Sequence, residues 1–143
     1  MAKSSVAVLI ANSSNGIILG NYIGLTPDGT AYSNVGVGLL LTENSSNNTI
    51  GGTATGQGNT FANNYTAIQI NAGAGNRISG NRIFNNSFGI LLTNNGNLNK
   101  AAPIINSFDG TTASGTSAPN DIIEIFGSTG NENANEYLAT ATA

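Results

Sequence analysis

The chain of 143 residues has no cysteine, no histidine and no tryptophan, and only 8% of its residues are charged. Each shortage removes a class of chemistry. Without cysteine there is no disulfide, no thiol nucleophile and no thiolate metal ligand. Without histidine, Ser-His-Asp triads and His-bearing zinc sites go as well. Four basic residues against seven acidic ones, a net charge of −3, are too few for a nucleic-acid footprint or a basic membrane-binding patch. No apolar run reaches 18 residues, the length a membrane-spanning helix needs. No cofactor motif is recognisable, so no cofactor is expected. No signal peptide is visible, and Met1-Ala2-Lys3 leads directly into repeat material at Val6. That start reads as one placed on a slice of something longer or as a cytoplasmic start, with the first favoured.

What is abundant is asparagine, at 24 residues, with 19 glycines and much Ser and Thr. Such a composition would suit a disordered chain, but the apolar residues keep a regular spacing that disorder does not require. Ala67-Ile68-Gln69-Ile70 returns 22 residues later as Gly89-Ile90-Leu91-Leu92. Earlier copies are Ala7-Val8-Leu9-Ile10 and Gly38-Leu39-Leu40-Leu41. A second element, Gly-Asn-x-apolar, stands at Gly20-Asn21-Tyr22-Ile23, Gly58-Asn59-Thr60-Phe61 and Gly80-Asn81-Arg82-Ile83. A period in this range indicates stacked units, each too small to bury its own apolar face.

The strands read as about 3–5 residues, separated by Asn/Gly corners that tolerate left-handed backbone. Three short strands per unit describe one turn of a parallel β-helix. The clearest turn runs from Thr66 to Asn86, with strands at Ala67–Ile70, Arg77–Ser79 and Arg82–Phe84 and a corner at Gly80-Asn81. Alternation assigns the inward faces. The first column is Val6, Val8 and Ile10, then Val37, Leu39 and Leu41, then Ile68 and Ile70, then Phe88, Ile90 and Leu92. The second is Ile18, Ile50 and Ile78; the third is Ile23, Phe61 and Ile83. Leu25–Asn34, headed by Thr26-Pro27-Asp28-Gly29, reads as a lateral loop with a β-turn.

Composition shifts near Asn99, which places repeats in residues 1–99 and a different unit in 100–143. In the latter, Ile104-Ile105, Ile122-Ile123-Glu124-Ile125-Phe126 and Tyr137-Leu138 read as antiparallel strands of a sandwich type. Five of the seven acidic residues lie there: Asp109, Asp121, Glu124, Glu132 and Glu136.

Candidate chemistry is sparse. Glycoside hydrolysis needs two carboxylates about 5–10 Å apart. The repeats offer only Asp28, in a turn that favours Asp anyway, and Glu43, at a corner. Arg77 and Arg82 flank inward isoleucines and read as outward, solvated positions without a carboxylate cluster nearby. Asp109-Gly110 has no calcium-loop spacing. Catalytic and metal sites are therefore assigned to no residue. Asn21, Asn59 and Asn81 share one corner position and read as a structural ladder of stacked carboxamides, not a ligand-binding row. Leu9, Leu40, Gln69 and Leu91 share an outward position on the first strand. Three outward leucines form an apolar row that expects cover, by the chain's own tail or by a partner.

Asn48-Thr49-Ile50-Gly51-Gly52, Gly58-Asn59-Thr60-Phe61 and Gly75-Asn76-Arg77-Ile78-Ser79-Gly80-Asn81-Arg82-Ile83 resemble the right-handed parallel β-helix repeats of large bacterial secreted and surface proteins. The loop Gly24–Ala31 resembles one common in such repeats. Residues 102–141 resemble part of a bacterial immunoglobulin-like module. The resemblance implies an all-β chain: a right-handed parallel β-helix of about three to four turns, of pectin-lyase-like architecture, with a short antiparallel β tail. It implies secretion or a cell-surface place for the parent protein. Within this family, polysaccharide lyases, hydrolases, tailspikes and adhesins share the fold, so activity does not follow from it. The residues favour a non-catalytic, structural or adhesive fragment; the alternative is a carbohydrate-binding or carbohydrate-processing β-helix. The expected partner is a second copy, met through strand edges, the leucine row or exchanged tail strands, with a glycan or surface ligand as a further candidate. Neither nucleic acid nor membrane insertion is expected.

Overall fold

A computed structural model describes residues 5–32, 36–128 and 136–143. The start at Met1–Lys3, the end of the lateral loop at Asn34 and the acidic Glu132 lie outside the described residues.

The chain is all-β, 48% strand and 3% helical. Among the described residues, ten short strands precede Gly96. They are β1 Val6–Ala11, β2 Ile17–Ile18, β3 Tyr22–Ile23, β4 Val37–Thr42, β5 Thr49–Gly51, β6 Thr60–Ala62, β7 Thr66–Ile70, β8 Arg77–Ser79, β9 Arg82–Phe84 and β10 Phe88–Leu92. They sort by threes into parallel sheets of order β1-β4-β7-β10, β2-β5-β8 and β3-β6-β9. Every third strand is thus a neighbour in space, and each sheet is open, with two outer strands. This stacking is compatible with a β-helix.

Register follows the apolar repeat. Val8, Leu39, Ile68 and Ile90 are aligned across the first sheet. Ile18, Ile50 and Ile78 align in the second, and Ile23, Phe61 and Ile83 in the third. Leu39, Leu41, Ile50, Phe61, Ile68 and Ile70 are fully buried and form one core. Short strands can hold this register because a one-residue slip would turn every apolar side chain outward.

Two inward assignments fail at the end of the stack. The alternation places Ile90 and Phe88 in the core, but Ile90 is 51% exposed and Phe88 46%. Their strand is the outer one of the first sheet, so no further layer covers them. Ile78 is only partly buried for the same reason, although it packs against the core. Phe88 instead meets Tyr65 edge to face, with ring centroids 5.3 Å apart.

The lateral loop begins with the turn its residues ask for. Gly29 N–H donates to Thr26 O at 2.9 Å across Pro27-Asp28, with Gly29 at φ +88°, and Leu25 bridges Ala31.

The tail consists of two antiparallel pairs, β11 Ile104–Phe108 with β12 Ala113–Thr116 and β13 Ile122–Gly127 with β14 Glu136–Thr142. They form separate two-stranded sheets. Ile104, Ile105, Phe108 and Ile122 are all largely exposed, so the tail builds little core of its own.

Layer position should set the cost of truncation. Ile50→Ala, at a fully buried rung with a strand on each side, should destabilise by about 2–5 kcal/mol in chemical denaturation. Ile90→Ala, at the uncovered end, should cost less than about 1.5 kcal/mol.

Candidate functional site

The corners between strands carry the most specific chemistry in the molecule. At the corner before the third sheet, Asn21, Asn59 and Asn81 stack as the sequence predicts. Asn21 Nδ2 donates to Asn59 Oδ1 at 3.0 Å, and Asn59 Nδ2 to Asn81 Oδ1 at 2.9 Å. The same oxygens accept the backbone N–H of the rung below, each at 3.0 Å. The second amide proton of Asn59 goes to Ile18 O at 2.8 Å. Asn59 and Asn81 are 1% and 2% exposed. A carboxamide offers two donors and an acceptor with two lone pairs, and Asn59 uses all four.

Two further ladders exist that the sequence reading did not single out. Asn48, Asn76 and Asn97 stack before the second sheet, with amide contacts of 2.9 and 3.2 Å. Asn64 and Asn86 stack before the first, at 3.0 Å. Their signal was available: Asn48-Thr49-Ile50 and Asn76-Arg77-Ile78 repeat the Asn-x-Ile spacing of Asn81-Arg82-Ile83, and the doublets Asn63-Asn64 and Asn85-Asn86 sit at matching places. The preceding residue often turns the chain through left-handed backbone, as at Gly80 (φ +60°), Asn47 (+57°) and Asn63 (+57°). At Gly80 a Cβ would also lie 2.4 Å from Gly52 O.

A third unforeseen element is Glu124. Its carboxylate, on β13, accepts the Ser79 hydroxyl and, at 2.7 Å, the Gly80 N–H. This docks the tail on the β8–β9 corner. Lys100 and Asp121 add an ion pair of 2.6 Å.

The other candidate residues are dispersed. Asp28 accepts from the Thr26 hydroxyl and from Thr30 N–H, inside its own turn. Glu43 is exposed at a left-handed corner (φ +53°). The two share no hydrogen bond. Arg77 is exposed, as is Arg82, whose guanidinium lies 4.6 Å from the Phe84 ring centre. Asp109 accepts from Thr111 and Thr112 N–H, a turn interaction. Among the described residues, no group of three or more Asp, Glu, His or Cys side chains comes together.

The leucine row is in register: Leu9 beside Leu40, Leu40 beside Gln69, Gln69 beside Leu91. Its exposure is uneven. Leu9 is 59% exposed, whereas Leu40, Gln69 and Leu91 are half-buried, and Gln69 donates to Thr93 Oγ1 at 3.3 Å. The tail's polar anchors lie at Ser79 and Gly80, away from this row, and Leu9 stays open to solvent.

No protein family, curated protein or solved structure matches this chain.

The surface carboxyls carry a pH signature. The Lys100 ammonium, followed by the Ser117 hydroxyl, holds Asp121 below the usual carboxylate range. The Thr26 hydroxyl does the same for Asp28, and the Thr112 N–H for Asp109. A carboxyl depressed by folding adds stability above its unfolded pKa and loses that contribution as pH falls through the folded value. Carboxyl 13C titration should place Asp121 below an unfolded-peptide aspartate, and Lys100→Ala should raise it.

Interior rungs should matter more than end rungs. Asn59→Ala strands the donors of Asn21 and the acceptors of Asn81 and Ile18, and should cost about 2–4 kcal/mol. Asn21→Ala, at an exposed end, should cost under half as much by the same denaturation measurement.

Proposed function

We propose that residues 6–97 are a parallel β-helix of about three and a half turns, of the right-handed kind, and that it serves as a non-catalytic structural or adhesive module of a secreted or surface-borne protein. One observation supports this most: the three asparagine ladders. They spend the polar side chains on joining one turn to the next. Buried carboxamides are hydrogen-bonded to each other and to backbone, so they are not available to a ligand. The carboxylates are used likewise, Asp28 and Asp109 in turns and Glu124 in holding the tail. Such a module offers length, rigidity and surface. In this reading residues 100–143 are a separate unit that closes the end of the stack.

A second reading, contact with glycans, has one feature in its favour. Tyr65, just before β7, and Phe88, at the start of β10, form an exposed aromatic pair, 56% and 46% open to solvent. Aromatic faces suit sugar rings.

A polysaccharide panel read by titration calorimetry and by reducing-end release separates the two. The structural reading expects neither binding nor turnover. Binding lost on Tyr65→Ala would favour glycan recognition. Turnover lost on Asp28→Ala or Glu43→Ala would overturn the non-catalytic assignment.

A further inference from the structure

The stack ends on a step. A fourth turn is begun by β10 and by the corner that carries Asn97, but the second and third sheets stop at β8 and β9. Among the described residues, each of these has a strand neighbour on one side only. Where the next two strands would lie there is a cavity of about 730 Å³, lined on the stack side by Ile78, Ile83 and Ile90 and on the tail side by Ile123 and Phe126.

Glu124 stands at this vacancy. In the first turn, the corner Gly20 donates its N–H to Gln57 O of the turn above, at 3.1 Å. The corresponding Gly80 has no turn above it and donates to the Glu124 carboxylate at 2.7 Å. An acceptor-only side chain has taken the place of a missing backbone carbonyl.

The ladders also have a direction. At each rung the backbone N–H and one Nδ2 proton donate to the carboxamide oxygen of the later turn, so that oxygen accepts from the earlier turn. At the late end, Asn81 N–H has no partner among the described residues. At the early end, Asn21 Oδ1 receives no donor among the described residues, and the outer strands β2 and β3 present Ile17 and Tyr22, 70% and 51% exposed. One end lacks what the other end offers.

We propose that the vacancy is a strand-addition site, that Glu124 is the latch that closes it, and that its partner is the first turn of a second copy of this chain. The proposal rests on the β-helix reading. β2 of the incoming copy pairs with β8 and its β3 with β9; its Asn21 becomes the next rung above Asn81, and its Ile18 and Ile23 cover Ile78 and Ile83. The incoming β1 then competes with the resident β10 for one place in the first sheet and peels away. That displacement gives the assembly a signature.

The test uses light scattering and amide hydrogen exchange on the full chain, wild type and Glu124→Ala, with a synthetic peptide of residues 16–23 as probe. Glu124→Ala should associate at lower concentration and bind the peptide roughly tenfold more tightly, since two charge-assisted hydrogen bonds no longer hold the latch. Glu124→Gln, which keeps a carbonyl acceptor, should fall between. The peptide carrying Asn21→Ala should lose the gain. In the associated species, amides of 16–23 and 77–84 should become protected and those of 6–11 should lose protection. A Glu124→Ala protein that stays monomeric and ignores the peptide, while Asn59 and Ile68 amides remain protected, overturns the site and leaves the stack standing. Rapid exchange at Asn59 and Ile68 in the wild type overturns the stacked reading itself. Association abolished by Leu40→Lys, or by Ile105→Lys, would place the contact on the leucine row or the tail strands and overturn the proposal too.

Discussion

The carboxamide ladder is the interaction on which the rest depends. Three-residue strands make few backbone hydrogen bonds each, and alone they would not fix a register. An asparagine whose oxygen accepts two bonds from one neighbouring turn, and whose nitrogen gives one bond to each side, locks two turns at a single spacing. Asn59 does this with Asn21 and Asn81. Repeated at three corners, the lock keeps the apolar columns aligned, so Ile50 and Phe61 disappear from solvent although their strands are three residues long. The buried amides are tolerable because they are satisfied; a half-satisfied network would be worse than an apolar one.

A stacked architecture has ends, and the ends explain the departures from simple alternation. Leu39 and Ile68 have strands on both sides and are fully buried, while Ile90, in the same column and pointing the same way, is half open. The tail attends to the late end by hydrogen bonding through Glu124, an arrangement that satisfies polar groups at the corner yet leaves the apolar rungs under a cavity. At the early end, Ile17, Leu9 and Tyr22 are exposed. The stack is thus best covered in its middle, where each turn has a neighbour on both sides.

Much of the stack was legible in the sequence because repetition converts a weak local signal into a strong one. The strands Arg77–Ser79 and Arg82–Phe84 and the column Ile23, Phe61 and Ile83 follow from spacing alone. So does the Asn21 ladder. The two other ladders were missed because Asn often stands where the first ladder has Gly: Asn47 before Asn48, though Gly75 before Asn76, and Asn63 and Asn85 before Asn64 and Asn86. A Gly-Asn pattern does not catch them, although Asn and Gly solve the same left-handed corner. Glu124 was illegible for a different reason. Its partner, Gly80, is 44 residues away in a segment of unlike composition, and nothing periodic links them. The exposure of Ile90 was misjudged because alternation reports the direction of a side chain and says nothing about what lies beyond it.

The stacked architecture requires that the interior asparagines be locked between turns in solution. The direct measurement is the side-chain amide spectrum of the 15N-labelled protein. The Nδ2 protons of Asn59 and Asn76 should exchange with solvent far more slowly than those of exposed asparagines, and should show cross-relaxation to the carboxamides they donate to one turn away, Asn81 for the first and Asn97 for the second. Exchange at the rate of a free asparagine, with contacts only to sequence neighbours, would contradict the stacked ladder and the fold built on it.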